Sequence, residues 1–105
     1  MCIRDSIVDE SVTTGREFFY QTSGSHPHTW LNNCGGSIGF GMPVAIGAAI
    51  SSPDQKVISL EGDGSAMYTV QSLWTMAREN LDIVILIFAN QSYKILQGEF
   101  NKRRC

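Results

Sequence analysis

With 105 residues, 43% of them apolar, the chain has room for one domain with a core of its own. Charged residues make up 17% and the formal net charge is −2, so charge gives no reason to expect nucleic acid or an anionic membrane as a partner; the basic run Lys102-Arg103-Arg104 reads as a solvated end. No apolar run approaches the ~20 residues of a membrane-spanning helix, and no apolar segment near the start has the form of a signal peptide.

The opening "MCIRDS" fits neither strand nor helix patterning and resembles translated sequencing adapter, so residues 1–6 are set aside from the fold. The terminal "RRC" is open to the same reading. That leaves Cys34 as the secure cysteine among Cys2, Cys34 and Cys105. Their spacing has no zinc pattern, and a reduced, cytoplasmic setting follows. Ile7 to Asp9 is a short apolar segment running into a polar turn, Glu10 to Thr14, which caps a helix beginning at Arg16–Tyr20. Residues 21–28, "QTSGSHPH", form a loop, and Thr29 to Leu31 a short strand. Residues 34–43, "CGGSIGFGMP", are too glycine-rich for regular structure. Pro43 suits the first turn of a helix over "PVAIGAAIS", whose Ala45, Gly47, Ala48 and Ala49 offer a small-residue face to a sheet. After a turn at Ser51–Gln55, Val57 to Leu60 is a strand by its β-branched content.

Residues 66–79 place Met67, Val70, Leu73, Trp74 and Ala77 three and four apart, which predicts an amphipathic helix with Trp74 packed on its apolar face. Asn80 tolerates the left-handed conformation that ends such a helix. Ile83 to Phe88, "IVILIF", is uniformly apolar and is expected to be buried on both faces, as in a parallel sheet. Strand, helix and strand make a right-handed βαβ unit. The expected class is α/β, a parallel sheet with helices on both faces, cut at both ends and covering residues 7–105.

Parallel neighbouring strands bring their C-terminal ends together, so Asp63 and Asn90 would meet at the edge where open α/β sheets bind ligands. Gly62 and Gly64 let the backbone turn beside Asp63. Ser65 stands at a helix N-terminus, where free N–H groups favour phosphate. One carboxylate, one amide oxygen and a phosphate-ready helix end describe a magnesium–diphosphate site, since Mg2+ takes a few protein oxygens and fills its octahedron with phosphate and water. A dinucleotide fingerprint is the nearest competitor, and "GDGSAM" lacks its third glycine. His26 and His28 could act as acid or base near neutral pH, yet an HxH in such a loop is more often a surface feature. Trp30 and Phe40 are read as packing.

Gly62-Asp63-Gly64 through Asn90 resembles the thiamin diphosphate-binding motif of the decarboxylase/carboligase superfamily. "GGSIGFGMPVAIGAAI" and "FANQSYKILQGE" are similar to segments of acetolactate synthase large subunits, and "DESVTT" to a turn of benzoylformate decarboxylase. Many relatives carry two asparagines where this chain has Ala89-Asn90. The second is the family's ligand, so the site survives. The resemblance implies that Asp63, the Asn90 side chain and the Ser92 carbonyl bind Mg2+. It implies that Gly62, Gly64, Ser65 and Thr13 line the diphosphate, with Tyr93 beside the cofactor. Ile38 would prop the cofactor in a bent shape, its N–H donating to the pyrimidine ring, while the Gly36 carbonyl accepts from the 4′-amino group. Without the resemblance, Ile38 would read as core filler. The implied chemistry is decarboxylation or carboligation of a 2-oxo acid, with an activating glutamate from another domain of the partner subunit in a homodimer or tetramer. Glu61 is in the wrong place for that role. The segment alone is expected to be inactive. Its rivals are a non-catalytic homologue that keeps the site and an unrelated phosphate-binding α/β domain.

Overall fold

Apolar and β-branched runs in three of the four strands, each short enough to be a strand, build the centre of the molecule. A computed structural model describes residues 5–103. The readings of Cys2, Arg104 and Cys105 lie outside the described residues. Strands β1 (Ser6–Glu10), β2 (Thr29–Leu31), β3 (Val57–Gly62) and β4 (Ile83–Phe88) form one sheet in the order β2-β1-β3-β4, each neighbouring pair parallel. Helices α1 (Phe18–Gln21), α2 (Gly41–Ser51), α3 (Asp63–Tyr68), α4 (Ser72–Arg78) and α5 (Lys94–Lys102) complete the α/β architecture that the sequence predicts. Among the described residues no helix is long and apolar enough to cross a membrane.

The chain steps from β1 outward to β2, then returns to the other side of β1 for β3. The strand order therefore reverses at β1, and the crevice above the β1 and β3 C-termini is the topological switch point. Ser6, set aside in the sequence reading, opens β1: it pairs with Thr29 and Val57 and is buried. Ser6 is polar, so hydrophobic patterning does not mark it; backbone pairing recruits it.

Val8, Met42, Ala45, Ala49, Val57, Ala66 and Met76 form the buried core. Each large member contributes roughly 1.5–3 kcal/mol of burial. The methyl side chains of Ala45 and Ala49 let α2 lie close on the sheet. Gly47 takes no part in that contact, because its helical position faces open space.

Three expectations are corrected. The helix predicted over residues 66–79 begins at Asp63 and is broken at Thr69–Gln71. Thr69 turns there because its hydroxyl donates to the Gly39 carbonyl at 2.9 Å, a tertiary bond that outweighs helix continuity. Second, Trp74 is 65% exposed with the Arg78 guanidinium stacked 4.6 Å from its ring, while Ser72 and Met76 face the core. Met67, Val70 and Leu73 are likewise exposed. Third, β4 is an edge strand and is not buried on both faces: Ile83 and Ile85 pack against the core, but Val84, Leu86 and Ile87 are exposed. The helix expected from Arg16 is a single turn from Phe18, its Phe18 ring 5.2 Å from that of Phe88. Asn80 has φ 50° and ends α4 as expected.

Candidate functional site

A cavity of about 810 Å³ opens at the C-terminal edge of β1 and β3. The Ser11–Thr13 turn after β1 forms one wall, and the glycine-rich loop before α2 forms a second. The first turn of α3 and the segment after β4 close it. Each wall has a local reason for its shape. In the first, Asp9 Oδ1 accepts the N–H of Ser11 at 3.0 Å and its hydroxyl at 2.5 Å. This folds the chain back and puts Val12 at φ 54°, a rare conformation for a β-branched residue and one that clusters at functional sites. Thr13 lies on that turn and lines the cavity.

In the glycine-rich wall, Asn33 organises the loop. Its Oδ1 accepts the Gly35 N–H at 2.8 Å and its amide donates to the Ser37 carbonyl at 3.1 Å. Gly36 has φ 68° and a Cβ there would meet nothing within 4 Å, so its small size is required by the backbone, not by crowding. Ile38 is 56% exposed and lines the cavity. An isoleucine left facing open space does not fill core, so the bland reading of Ile38 is corrected.

Helix α3 starts at Asp63 with Gly62 as its cap residue, so Gly64 and Ser65 sit in the first turn, where N–H groups lack helical partners. Gly64 has an ordinary φ. A side chain there would stand 2.5 Å from the Tyr93 ring, so the glycine makes room for Tyr93. On the last wall, Asp63 Oδ2 accepts the Gln91 N–H at 2.9 Å, tying the end of β3 to the segment after β4. Asn90 Oδ1 accepts the Ser92 N–H at 3.0 Å, an Asx turn that curls the chain with Gln91 at φ 52°. Gly62, Asp63, Gly64, Ser65, Asn90, Ser92 and Tyr93 all line the cavity, as do Thr13, Gly36 and Ile38. Every candidate site residue from the sequence thus reaches one space. His26 and His28 do not; they lie in the outer loop, where His28 meets the Trp30 ring edge-on at 6.1 Å.

With Glu10 in its lining, the cavity borders a feature that the sequence reading missed. Glu10 and Glu61 are register partners on β1 and β3, 4% and 0% exposed. Glu10 accepts the Gly39 N–H on Oε1 and the Gly41 N–H on Oε2 at 2.7 Å. Glu61 Oε1 accepts the Ser59 hydroxyl at 2.6 Å, and Oε2 has no hydrogen-bond partner among the described residues. A Cβ on Gly41 would collide with both carboxyl groups, so the start of α2 rests directly on the pair. Burial pushes the Glu61 carboxyl up to about 7, the Ser59 bond opposes this, and the nearby charges of Glu10 and Asp9 add to it. The available signal was an acid at the last inward position of each of two apolar strands.

The chain matches the family profile of the thiamine pyrophosphate enzyme C-terminal domain over residues 13–104. It is 48% identical over 99 residues to the acetolactate synthase large subunit homologue IlvX of Mycobacterium tuberculosis, covering 94% of this chain and 19% of that protein. It is 36% identical over 95 residues to benzoylformate decarboxylase of Pseudomonas aeruginosa, covering 90% of this chain and 18% of the relative. Among solved structures, the thiamine diphosphate-dependent 4-hydroxybenzoylformate decarboxylase of Rhodococcus jostii RHA1 superposes with a TM-score of 0.80 at 36% identity, over 95% of this chain and 19% of that one. The chain spans about a fifth of the length of these relatives. With its parallel sheet and its cavity at the switch point, the chain belongs to the thiamine pyrophosphate enzymes, as a C-terminal thiamine pyrophosphate-binding domain.

Proposed function

We propose that the β1–β3 cavity anchors thiamine pyrophosphate through Mg2+, and that the chain serves an enzyme that decarboxylates or carboligates 2-oxo acids. The observation that carries this reading is the convergence of Asp63, Asn90 and Ser92 on one cavity, with Asp63 tied to the segment between Asn90 and Ser92, and with Gly36 and Ile38 in the same lining. The donor set fits the metal: a carboxylate, an amide oxygen and a backbone carbonyl are hard ligands, few enough to leave room for diphosphate oxygens and water. Asn90 Oδ1 already accepts one N–H, but an amide oxygen has a second lone pair to offer a cation. The cavity also fits the organic part, with an exposed isoleucine in its wall and an open backbone at Gly36.

The bound cofactor supplies the electron sink for loss of carbon dioxide from a 2-oxo acid. The protein's share is to hold and orient it. Gly62, Gly64, Ser65 and Thr13 face the diphosphate, and the N–H groups of the first turn of α3 favour its charge. Ile38 would brace the cofactor, the Gly36 carbonyl and the Ile38 N–H would meet its pyrimidine ring, and Tyr93 would pack beside it. The whole protein works as a homodimer or tetramer, with its activating glutamate from another domain. An exposed free thiol at Cys34 fits a reducing cytoplasm.

The test is calorimetric titration of thiamine pyrophosphate into the protein with and without Mg2+. Binding should need the metal, and Asp63→Ala should abolish it. Equal affinity in Asp63→Ala and the parent would refute the assignment.

A further inference from the structure

The glycine-rich loop is the part of the cavity wall with least regular structure, so something must hold it at a fixed distance from the sheet. Two contacts do so, and they converge on Gly39. Its N–H is held by the Glu10 carboxylate, buried on β1, and its carbonyl by the Thr69 hydroxyl at the α3–α4 break. Gly39 itself sits at φ 90°, with the Tyr68 side chain 2.7 Å from where a Cβ would stand, so the pinned residue has no room to adjust. Glu10 reaches past it to the Gly41 N–H, which begins α2. Helix α2 has no cap from its own N-cap residue, Phe40. The cap is supplied from the sheet instead, and a carboxylate there is also favoured by the dipole of an eleven-residue helix. Ile38 lies between this clamp and the Ser37 contact to Asn33, and Gly36 sits in the turn that Asn33 closes just before it.

We propose that Glu10 is a positioning residue for the cofactor's pyrimidine ring: by gripping the Gly39 and Gly41 N–H groups it fixes the loop that presents Gly36 and Ile38. The inference rests on the reading of the cavity as a thiamine pyrophosphate site. Glu10 borders the cavity, but both of its carboxylate oxygens are taken up by the Gly39 and Gly41 N–H groups, so its action on the cofactor runs through the loop. The diphosphate end is held chiefly by α3 and the segment after β4, to which the Glu10 carboxylate makes no hydrogen bond among the described residues.

That separation makes the role testable on the whole protein with two probes, thiamine pyrophosphate and inorganic pyrophosphate, each with Mg2+. Glu10→Gln keeps one acceptor oxygen and turns an N–H2 donor toward the other backbone N–H. Thiamine pyrophosphate affinity should fall at least tenfold while inorganic pyrophosphate affinity stays within twofold, and the near-ultraviolet circular dichroism of the bound cofactor should change. Glu10→Asp retains the charge one methylene short, and should give an intermediate loss in the same direction. Parallel weakening of both probes, or unchanged affinity for both, would overturn the proposal. Should Glu10→Gln fail to fold, the same two-probe comparison on Glu10→Asp decides by the same criteria. A parent protein that binds inorganic pyrophosphate as tightly as thiamine pyrophosphate would instead refute the underlying site reading.

Discussion

Replacing Glu61 with glutamine should make the protein more stable in mild alkali and leave it nearly unchanged in mild acid. The carboxyl ionises near 4.5 in an unfolded chain and near 7 when folded, chiefly because burial penalises its charge. Between those values the folded state holds a proton that the unfolded state has released, so stability falls as pH rises. The contribution is fully present below about 4.5 and lost by somewhat above 7. A rise of that size corresponds to about 3 kcal/mol as an upper figure. The facing groups are Glu10 and Asp9 on β1 and Ser59 on β3, and among the described residues no basic side chain contributes to the shift. Glutamine keeps the shape, lets its oxygen accept from Ser59, and gives the unpartnered Oε2 position a donor that can face Glu10. Urea unfolding of parent and Glu61→Gln at pH 5 and pH 8 measures the effect, and the difference between the two proteins cancels other titrating groups. A gain of up to ~3 kcal/mol at pH 8, on the order of 10 °C in Tm, is expected, shrinking toward zero at pH 5. The same difference at both pH values would refute the reasoning.

The remaining predictions concern the cavity and the exposed face. Gly64→Ala puts a methyl 2.5 Å from the Tyr93 ring and should push Tyr93 and the adjoining Asn90–Ser92 segment, proposed to hold Mg2+, aside, weakening Mg2+-dependent cofactor binding about tenfold, a typical overpacking cost. Calorimetry on Gly64→Ala with Tyr93→Ala should show partial recovery; no recovery would mean that the methyl obstructs the diphosphate directly. The isolated 105-residue chain should associate through Met67, Leu73, Trp74, Leu86 and Ile87, all exposed, and should melt higher with Mg2+ and cofactor. Sizing chromatography showing a clean monomer, with a cofactor-independent melt above about 65 °C, would contradict this.

The strand–helix–strand core was legible because Val57–Leu60 and Ile83–Phe88 differ sharply in pattern from what separates them. Once those strands were parallel neighbours, Asp63 and Asn90 had to meet. What periodicity could not supply was the partner of each apolar face. Residues Val70, Leu73 and Trp74 repeat at helical spacing whether or not a second element covers them, and among the described residues they stay largely exposed. The break at Thr69 depends on a hydroxyl reaching Gly39, thirty residues away, which no local propensity encodes. The Glu10–Glu61 pair was hidden for the same reason: each acid looks like a strand end entering a polar turn until the β1–β3 register places them side by side.

The sheet-supplied cap on α2 also has a meaning for how the chain acquires its structure. A helix with its own N-cap can begin to form from local sequence alone, but α2 must wait for a carboxylate some thirty residues earlier in the chain. Nucleation at its N-terminus is therefore coupled to the docking of β1. In the native protein, the Gly39 and Gly41 amides, held by a buried carboxylate of β1, are expected to exchange their hydrogens together with the β1 amides, which hydrogen-exchange mass spectrometry would show. A glycine-rich loop would ordinarily be among the first segments to open; this one is expected to open with the sheet.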